Sequence, residues 1–204
     1  MDRKDKSGGH LIITGTGRAG TTLLVQVLTH LGFDTGYTPQ AAMRKVDPIS
    51  HAGLEPGLDT MADWPYVVKK PLLSLRLPKL VGSGALKVRS VIVPVRRLDA
   101  AAASRRRAAE AGAARGGEWL LRPGQTQEQA LLEVNHALMC SLAELGLPHV
   151  LLAFPRHAED AAYAFRQLAP ILVPHGVTEA EFAAAHAACA QPALVHDFGV
   201  EAPG

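Results

Sequence analysis

The chain has 204 residues, 48% hydrophobic and 20% charged, with a formal net charge of +2. Such a balance describes an ordinary globular protein long enough to bury a sizeable core, and it is too weakly basic to point to nucleic acid. No apolar run approaches the roughly 18 residues of a membrane span, and the charged start Met1-Asp2-Arg3-Lys4-Asp5-Lys6 has no signal-like core. One domain over 1–204 without membrane contact, tails at 1–9 and 198–204, and a cytoplasmic location are therefore expected.

The chain opens on His10-Leu11-Ile12-Ile13, a short apolar strand, followed by Thr14-Gly15-Thr16-Gly17-Arg18-Ala19-Gly20 and then Thr21-Thr22-Leu23-Leu24. Glycines let the backbone approach a ligand closely, and the helix expected from Thr21 to Leu31 offers unpaired N–H groups at the positive end of its dipole. Together they form a nest for an anion. The spacing of Gly15 and Gly20 matches a P-loop, but Thr21 stands where the P-loop lysine belongs. The positive charge sits in the loop instead, on Arg18.

From Phe33 to Asp63 no period is sustained, and the segment carries Asp47, His51, Glu55 and Asp59. A long irregular stretch in a compact domain is usually functional, so it is read as a substrate-facing loop with a short helix near Gln40 to Lys45. Tyr66 to Lys70 and Ser90 to Arg97 are apolar strands with basic ends, and a short helix over Leu72 to Val81 lies between them. Asp99 is expected to cap the alanine-rich helix that follows. Its Arg105-Arg106-Arg107 points three ways and reads mainly as a solvated face, with one of the three available to a phosphate. Thr126-x-x-Gln129 and Thr178-x-x-Glu181 have the form of capping boxes. Between the helices they open lie a strand at His149 to Phe154 and a helix from Arg156 to Leu172. Cys140 and Cys189 read as buried thiols.

Strands alternating with helices predict an α/β fold with a mainly parallel sheet, which binds ligands at the carboxyl ends of its strands. Arg18, Lys69, Lys70, Arg96, Arg97 and Arg156 all fall at such ends. Several cations on one edge beside an anion loop suggest a polyanionic ligand. A Mg²⁺-dependent NTPase or kinase would need an acidic residue at a neighbouring strand end and the P-loop lysine, and this chain has neither. A nucleotide bound through its phosphates without a metal fits better.

These residues resemble the sulfotransferases that use 3′-phosphoadenosine 5′-phosphosulfate (PAPS). Gly17-Arg18-Ala19-Gly20-Thr21-Thr22 is similar to their 5′-phosphosulfate loop, with Ala19 in place of the usual serine. Val93-Pro94-Val95-Arg96 through Ser104 is similar to their 3′-phosphate motif, an arginine at a strand end and a serine in the next helix. Val67-Val68-Lys69-Lys70-Pro71 resembles the strand whose lysine precedes the acceptor site, and Gly53-Leu54-Glu55 a G-x-E element of some bacterial members. The resemblance implies a three-layer α/β sandwich of P-loop NTPase-like topology and transfer of a sulfuryl group from PAPS to a hydroxyl or amine of a small molecule or carbohydrate. The product would be 3′,5′-ADP, and no metal would take part. It implies that Gly17, Arg18, Ala19, Gly20, Thr21 and Thr22 hold the 5′-phosphosulfate and that Arg96 and Ser104 hold the 3′-phosphate.

Lys69, or its neighbour Lys70, would stabilise the transferring group. The histidine base of animal members is missing from Lys69-Lys70-Pro71, so Glu55 or His51 takes that role; the other histidines are given none. The later arginine–lysine–glycine element is also missing, and the chain is short for the family. The acceptor pocket is then either open or completed by a second copy in a homo-oligomer. Two other readings stand beside this one: a nucleotide or small-molecule kinase, and a member of the fold that binds nucleotide without turnover.

Overall fold

The computed structural model describes residues 2–195. The expected tail at 198–204 lies outside them. The described part of 1–9 is tied to the body: Arg3 Nη1 donates to Leu31 O (2.6 Å) and Lys6 Nζ to Trp64 O (2.8 Å).

Four strands, β1 (His10–Ile13), β2 (Val67–Lys69), β3 (Val88–Val95) and β4 (His149–Ala153), form an all-parallel sheet in the order β2-β1-β3-β4. Eight α-helices accompany them among the described residues: α1 (Thr21–His30), α2 (Pro39–Arg44), α3 (Leu77–Gly82), α4 (Leu98–Glu110), α5 (Gln127–Glu144), α6 (Arg156–Glu159), α7 (Ala161–Leu172) and α8 (Glu179–Cys189). The fold is thus α/β, with the expected elements in the expected order.

Side-chain alternation along β1 explains why both sheet faces are covered. Leu11 and Ile13 join Ile92, Leu152 and side chains of α1, α7 and α8 in one core. Ile12 joins Val68, Val91, Val93, Leu77, Leu138 and Leu142 in the other. Each fully buried Leu or Ile contributes roughly 1.5–3 kcal/mol relative to an exposed one, and both cores hold several. The central strand β1 is therefore fixed from two sides, and so is the loop that leaves it.

Three local expectations are corrected. The helix expected over Leu72 to Val81 divides into a 3-10 turn, Pro71–Leu75, and α3, because Pro78 falls in the first turn of α3, where its missing N–H costs nothing. The helix from Arg156 to Leu172 divides at Asp160, whose side chain accepts from Tyr163 N and caps α7. Asp99 lies inside the first turn of α4 rather than capping it, and its carboxylate pairs with Arg97 at 2.7 Å. Both predicted capping boxes are present, at Thr126 with Gln129 and at Thr178 with Glu181.

No helix among the described residues is long and apolar enough to cross a membrane.

Candidate anion-binding site

The carboxyl ends of β1, β2 and β3 open into a cavity of about 890 Å³. Its base is the loop from Thr14 to Gly20. Thr14 Oγ1 donates to Lys70 O (2.9 Å) and lies 3.0 Å from Ser74 Oγ, which also accepts from Gly15 N (3.1 Å). Gly17, Arg18 and Gly20 have φ of 69°, 57° and 74°, so the chain winds through the left-handed region on its way into α1. Gly20 is required there twice over. Its φ disfavours other residues, and a Cβ would sit 2.6 Å from His157 Cε1.

Beyond Gly15 the winding leaves the loop's backbone donors without acceptors among the described residues. Among the described residues, no backbone N–H from Thr16 through Leu23 has a hydrogen-bond acceptor, although Thr16, Gly17, Ala19 and Thr21 are buried. A buried amide without an acceptor costs about 1–3 kcal/mol, and a run of them at a helix start suits negative charge.

Cations surround these amides. Arg18, Arg44, Lys69, Lys70, Arg96, Arg105 and Arg115 line the cavity, and Glu55 is its sole lining carboxylate among the described residues. Arg18 Nε donates to Ser104 Oγ (3.0 Å) and its Nη1 to Ser50 O. Arg96 Nη1 donates to Arg18 O (2.9 Å), and its guanidinium lies over the Phe154 ring, 4.8 Å from the centroid. The strand-end arginine and the helix serine singled out in the sequence therefore meet on one loop residue. Burial pulls the Arg18 guanidinium below its usual range.

Lys69 and Lys70 both line the cavity but reach different partners. Lys69 Nζ lies 3.1 Å from Glu55 Oε1, 3.4 Å from Thr22 Oγ1 and 2.6 Å from Gly53 O, and its side chain is 2% exposed. Burial lowers its pKa, partly offset by the Glu55 carboxylate. Lys70 Nζ donates instead to Pro56 O at 2.7 Å. It is Lys69 that stands among Thr22 and Glu55 at the start of α1.

Of the other proposed residues, Gly17, Gly20, Thr21, Thr22, His51 and Ser104 also line the cavity. Ala19 does not: it is fully buried, and its carbonyl accepts from His157 Nε2 at 2.9 Å. Arg97 and Arg156 are excluded as well. The first pairs with Asp99 and the second stacks on Tyr163, 4.3 Å from the ring centroid, and neither lines the cavity.

Of the three arginines read as a mainly solvated face with one open to a phosphate, Arg105 is the one at the cavity, and His157 was not singled out in the sequence. Arg105 is 5% exposed, not on a solvated face; its Nη2 donates to Thr16 O, its Nη1 to Gly117 O (2.7 Å), and Trp119 lies under its guanidinium. Burial and the nearby Arg18 charge bring its pKa down to about 10. The signal was present, because Ala101, Arg105 and Ala108 share one helical face with the buried Ser104. Arg106 and Arg107 stay outside, Arg106 paired with Glu128 at 2.7 Å. His157 sits under Gly20, and nothing in its surrounding sequence marks it.

Cys189 also lines the cavity, but burial pushes its thiol up to about 11, so it stays protonated. Cys140 is only half-buried, not the core thiol expected.

No family model, no curated protein and no solved structure matches this chain.

Proposed function

We propose that the protein is a PAPS-dependent sulfotransferase of P-loop NTPase-like topology, acting on a hydroxyl or amine of a small-molecule or carbohydrate acceptor without a metal. One observation carries the reading: among the described residues, the loop amides from Thr16 to Leu23 have no acceptor and lie at the base of a cavity lined by seven arginines and lysines and a single carboxylate, itself ion-paired. A metal-bound triphosphate needs a free acidic residue at a strand end, whereas here β2 ends in Lys69 and β3 leads directly into Arg96. A phosphosulfate neutralised by side chains and amides needs what this cavity supplies.

In this reading the amides from Gly17 to Thr22 and the hydroxyls of Thr21 and Thr22 hold the 5′-phosphosulfate, and Arg96 and Ser104 hold the 3′-phosphate, with Arg105 beside them. The acceptor oxygen or nitrogen attacks sulfur in line as the bond from sulfur to the bridging phosphate oxygen breaks. Lys69 neutralises charge at that oxygen, and Glu55 takes the acceptor proton. Glu55 is preferred over His51 because it lies at the same ammonium group, 3.1 Å from Lys69. Positioning and charge stabilisation, not a covalent intermediate, lower the barrier.

The test is equilibrium dialysis of 3′,5′-ADP against the protein and the double variant Arg96→Ala/Ser104→Ala. Micromolar binding that falls at least thirtyfold in the variant is the expected result, since a charge-assisted phosphate contact and a hydroxyl are both lost. Equal binding by the two proteins would remove these residues from the nucleotide site and the sulfotransferase reading with them.

A further inference from the structure

His157 lies behind the loop, outside the cavity, with 1% of its surface exposed. Its Nε2 faces Ala19 O at 2.9 Å, and since a carbonyl can only accept, Nε2 carries the hydrogen. Nδ1 is buried and has no partner among the described residues, so the Ala19 contact is the one hydrogen bond of the ring. Phe154 packs on the imidazole edge to face, 5.7 Å between centroids, and His186 Nε2 lies 3.0 Å from the His157 carbonyl. The ring is thus held from the side and through its backbone, with a single polar contact directed at the loop.

That contact has a geometric consequence. A trans peptide is planar, and its C=O and N–H point in opposite directions. Fixing Ala19 O on His157, away from the cavity, turns the N–H of Gly20 the other way, toward the cavity that Gly20 lines. Gly20 lacks the side chain that would oppose a peptide flip, so something else must set this plane. The ring does so at close range, since a Cβ on Gly20 would meet both Cε1 and Nε2 within 2.9 Å. Arg96 and Arg105 also hold loop carbonyls, those of Arg18 and Thr16, but both side chains line the cavity, so His157 alone of the three holds its carbonyl from outside it.

We propose that His157 is the positioning residue of the anion loop: its Nε2–H holds the Ala19–Gly20 peptide with the amide turned to the ligand, which the imidazole itself never touches. The inference rests on the loop binding an anion, as in the function proposed above, and not on which anion it is. Burial, which keeps the imidazole below the ordinary histidine range, favours the neutral donor form.

Calorimetric titration of the whole protein with inorganic pyrophosphate and with 3′,5′-ADP tests it, on the wild type, His157→Ala and His157→Gln. The glutamine amide can replace the Nε2–H donor; alanine cannot. We expect His157→Ala to weaken pyrophosphate at least tenfold and His157→Gln to stay within threefold of the wild type. Unchanged pyrophosphate affinity in His157→Ala, or equal losses in both variants, overturns the inference. Should His157→Ala fail to fold, ¹⁵N NMR of the wild type decides. A bare Nδ1 and a Gly20 amide resonance that moves on adding pyrophosphate support the inference, and a proton on Nδ1 or an unmoved Gly20 overturns it. Wild-type binding of pyrophosphate without 3′,5′-ADP removes the sulfotransferase reading and leaves this one intact, while binding of neither overturns both.

Discussion

The loop from Thr14 to Gly20 and the segment from Asp47 to Gly57 border the same cavity but are held in opposite ways. The loop is fixed from behind and beneath, by Ser74 on Gly15 N, Arg105 on Thr16 O and His157 on Ala19 O. The segment is held by Asp47, which accepts from Ser50 N and Ile49 N, and by the cavity's own cations: Arg18 donates to Ser50 O, Lys69 to Gly53 O and Glu55, and Lys70 to Pro56 O. Ser74 and His157 lie outside the cavity, whereas an anionic ligand would compete with the segment for Arg18, Lys69 and Lys70 and with the loop for Arg105. In the proposed reaction, affinity for the donor would belong to the loop, and adjustment to the segment that carries Glu55 and His51.

Substitutions on either side of the cavity separate the two regions. Lys69 joins the two regions, so Lys69→Met should have the largest effect. Sulfuryl transfer is expected to fall about 10²–10³-fold, the usual cost of losing one group that stabilises transition-state charge, while the Kd for 3′,5′-ADP moves less than tenfold. Steady-state kinetics beside calorimetry separates the two effects, and a loss confined to Kd would place Lys69 in donor binding alone. Glu55→Gln keeps size and hydrogen-bonding capacity and removes the base. A fall in kcat of about 10² with unchanged 3′,5′-ADP affinity is expected, whereas His51→Ala should stay within about twofold of the wild type. The reverse order would exchange their roles.

On the loop side, Gly20→Ala must adopt a φ of 74° and meet the His157 ring, so it should lower stability by about 1–3 kcal/mol. Denaturant unfolding reads this directly, and 3′,5′-ADP binding should weaken with it. A Gly32→Ala control shares a positive φ of 80° but has nothing within 4 Å of its added Cβ, so it should lose less.

The smallest effect is one of pH on the segment. Asp47 accepts from Ser50 N (2.8 Å), Ile49 N (3.0 Å) and Ala114 N (3.0 Å), and these contacts, that of Ser50 first, hold its carboxyl below the usual range. A depressed folded-state pKa means that the stabilisation is complete above the unfolded value near 4 and disappears as pH falls through the folded one. Proteolysis within 47–57 should therefore be flat from pH 7 to 5 and rise only at more acidic values, with Asp47→Asn already faster at pH 7. A rise centred near pH 6 would point to a histidine instead.

The contrast also explains what was legible in the sequence. Local patterns carried the fold: four apolar runs became β1 to β4, two of them with basic ends, and Thr126 and Thr178 opened helices where their spacing with Gln129 and Glu181 required. Gly15, Gly17 and Gly20 marked the loop because only a backbone with positive φ needs glycine so densely. What the sequence could not show is tertiary. Ser104 faces Arg18, 86 positions away, and His157 reaches Ala19 across 138. Glu55 meets Lys69 by way of a segment with no period at all. Arg105 lay between, since its helical face could be counted but its neighbours Arg106 and Arg107 masked it.

The proposed function requires that this cavity take a 3′-phosphorylated adenine nucleotide through amides and side chains, without a metal. Isothermal titration with 3′,5′-ADP in EDTA, beside ATP in Mg²⁺, tests it most directly. Micromolar binding of 3′,5′-ADP that is unchanged by EDTA, with ATP–Mg²⁺ much weaker, is the predicted result. A preference for ATP–Mg²⁺ that EDTA abolishes would contradict it and make the protein a kinase-like nucleotide binder.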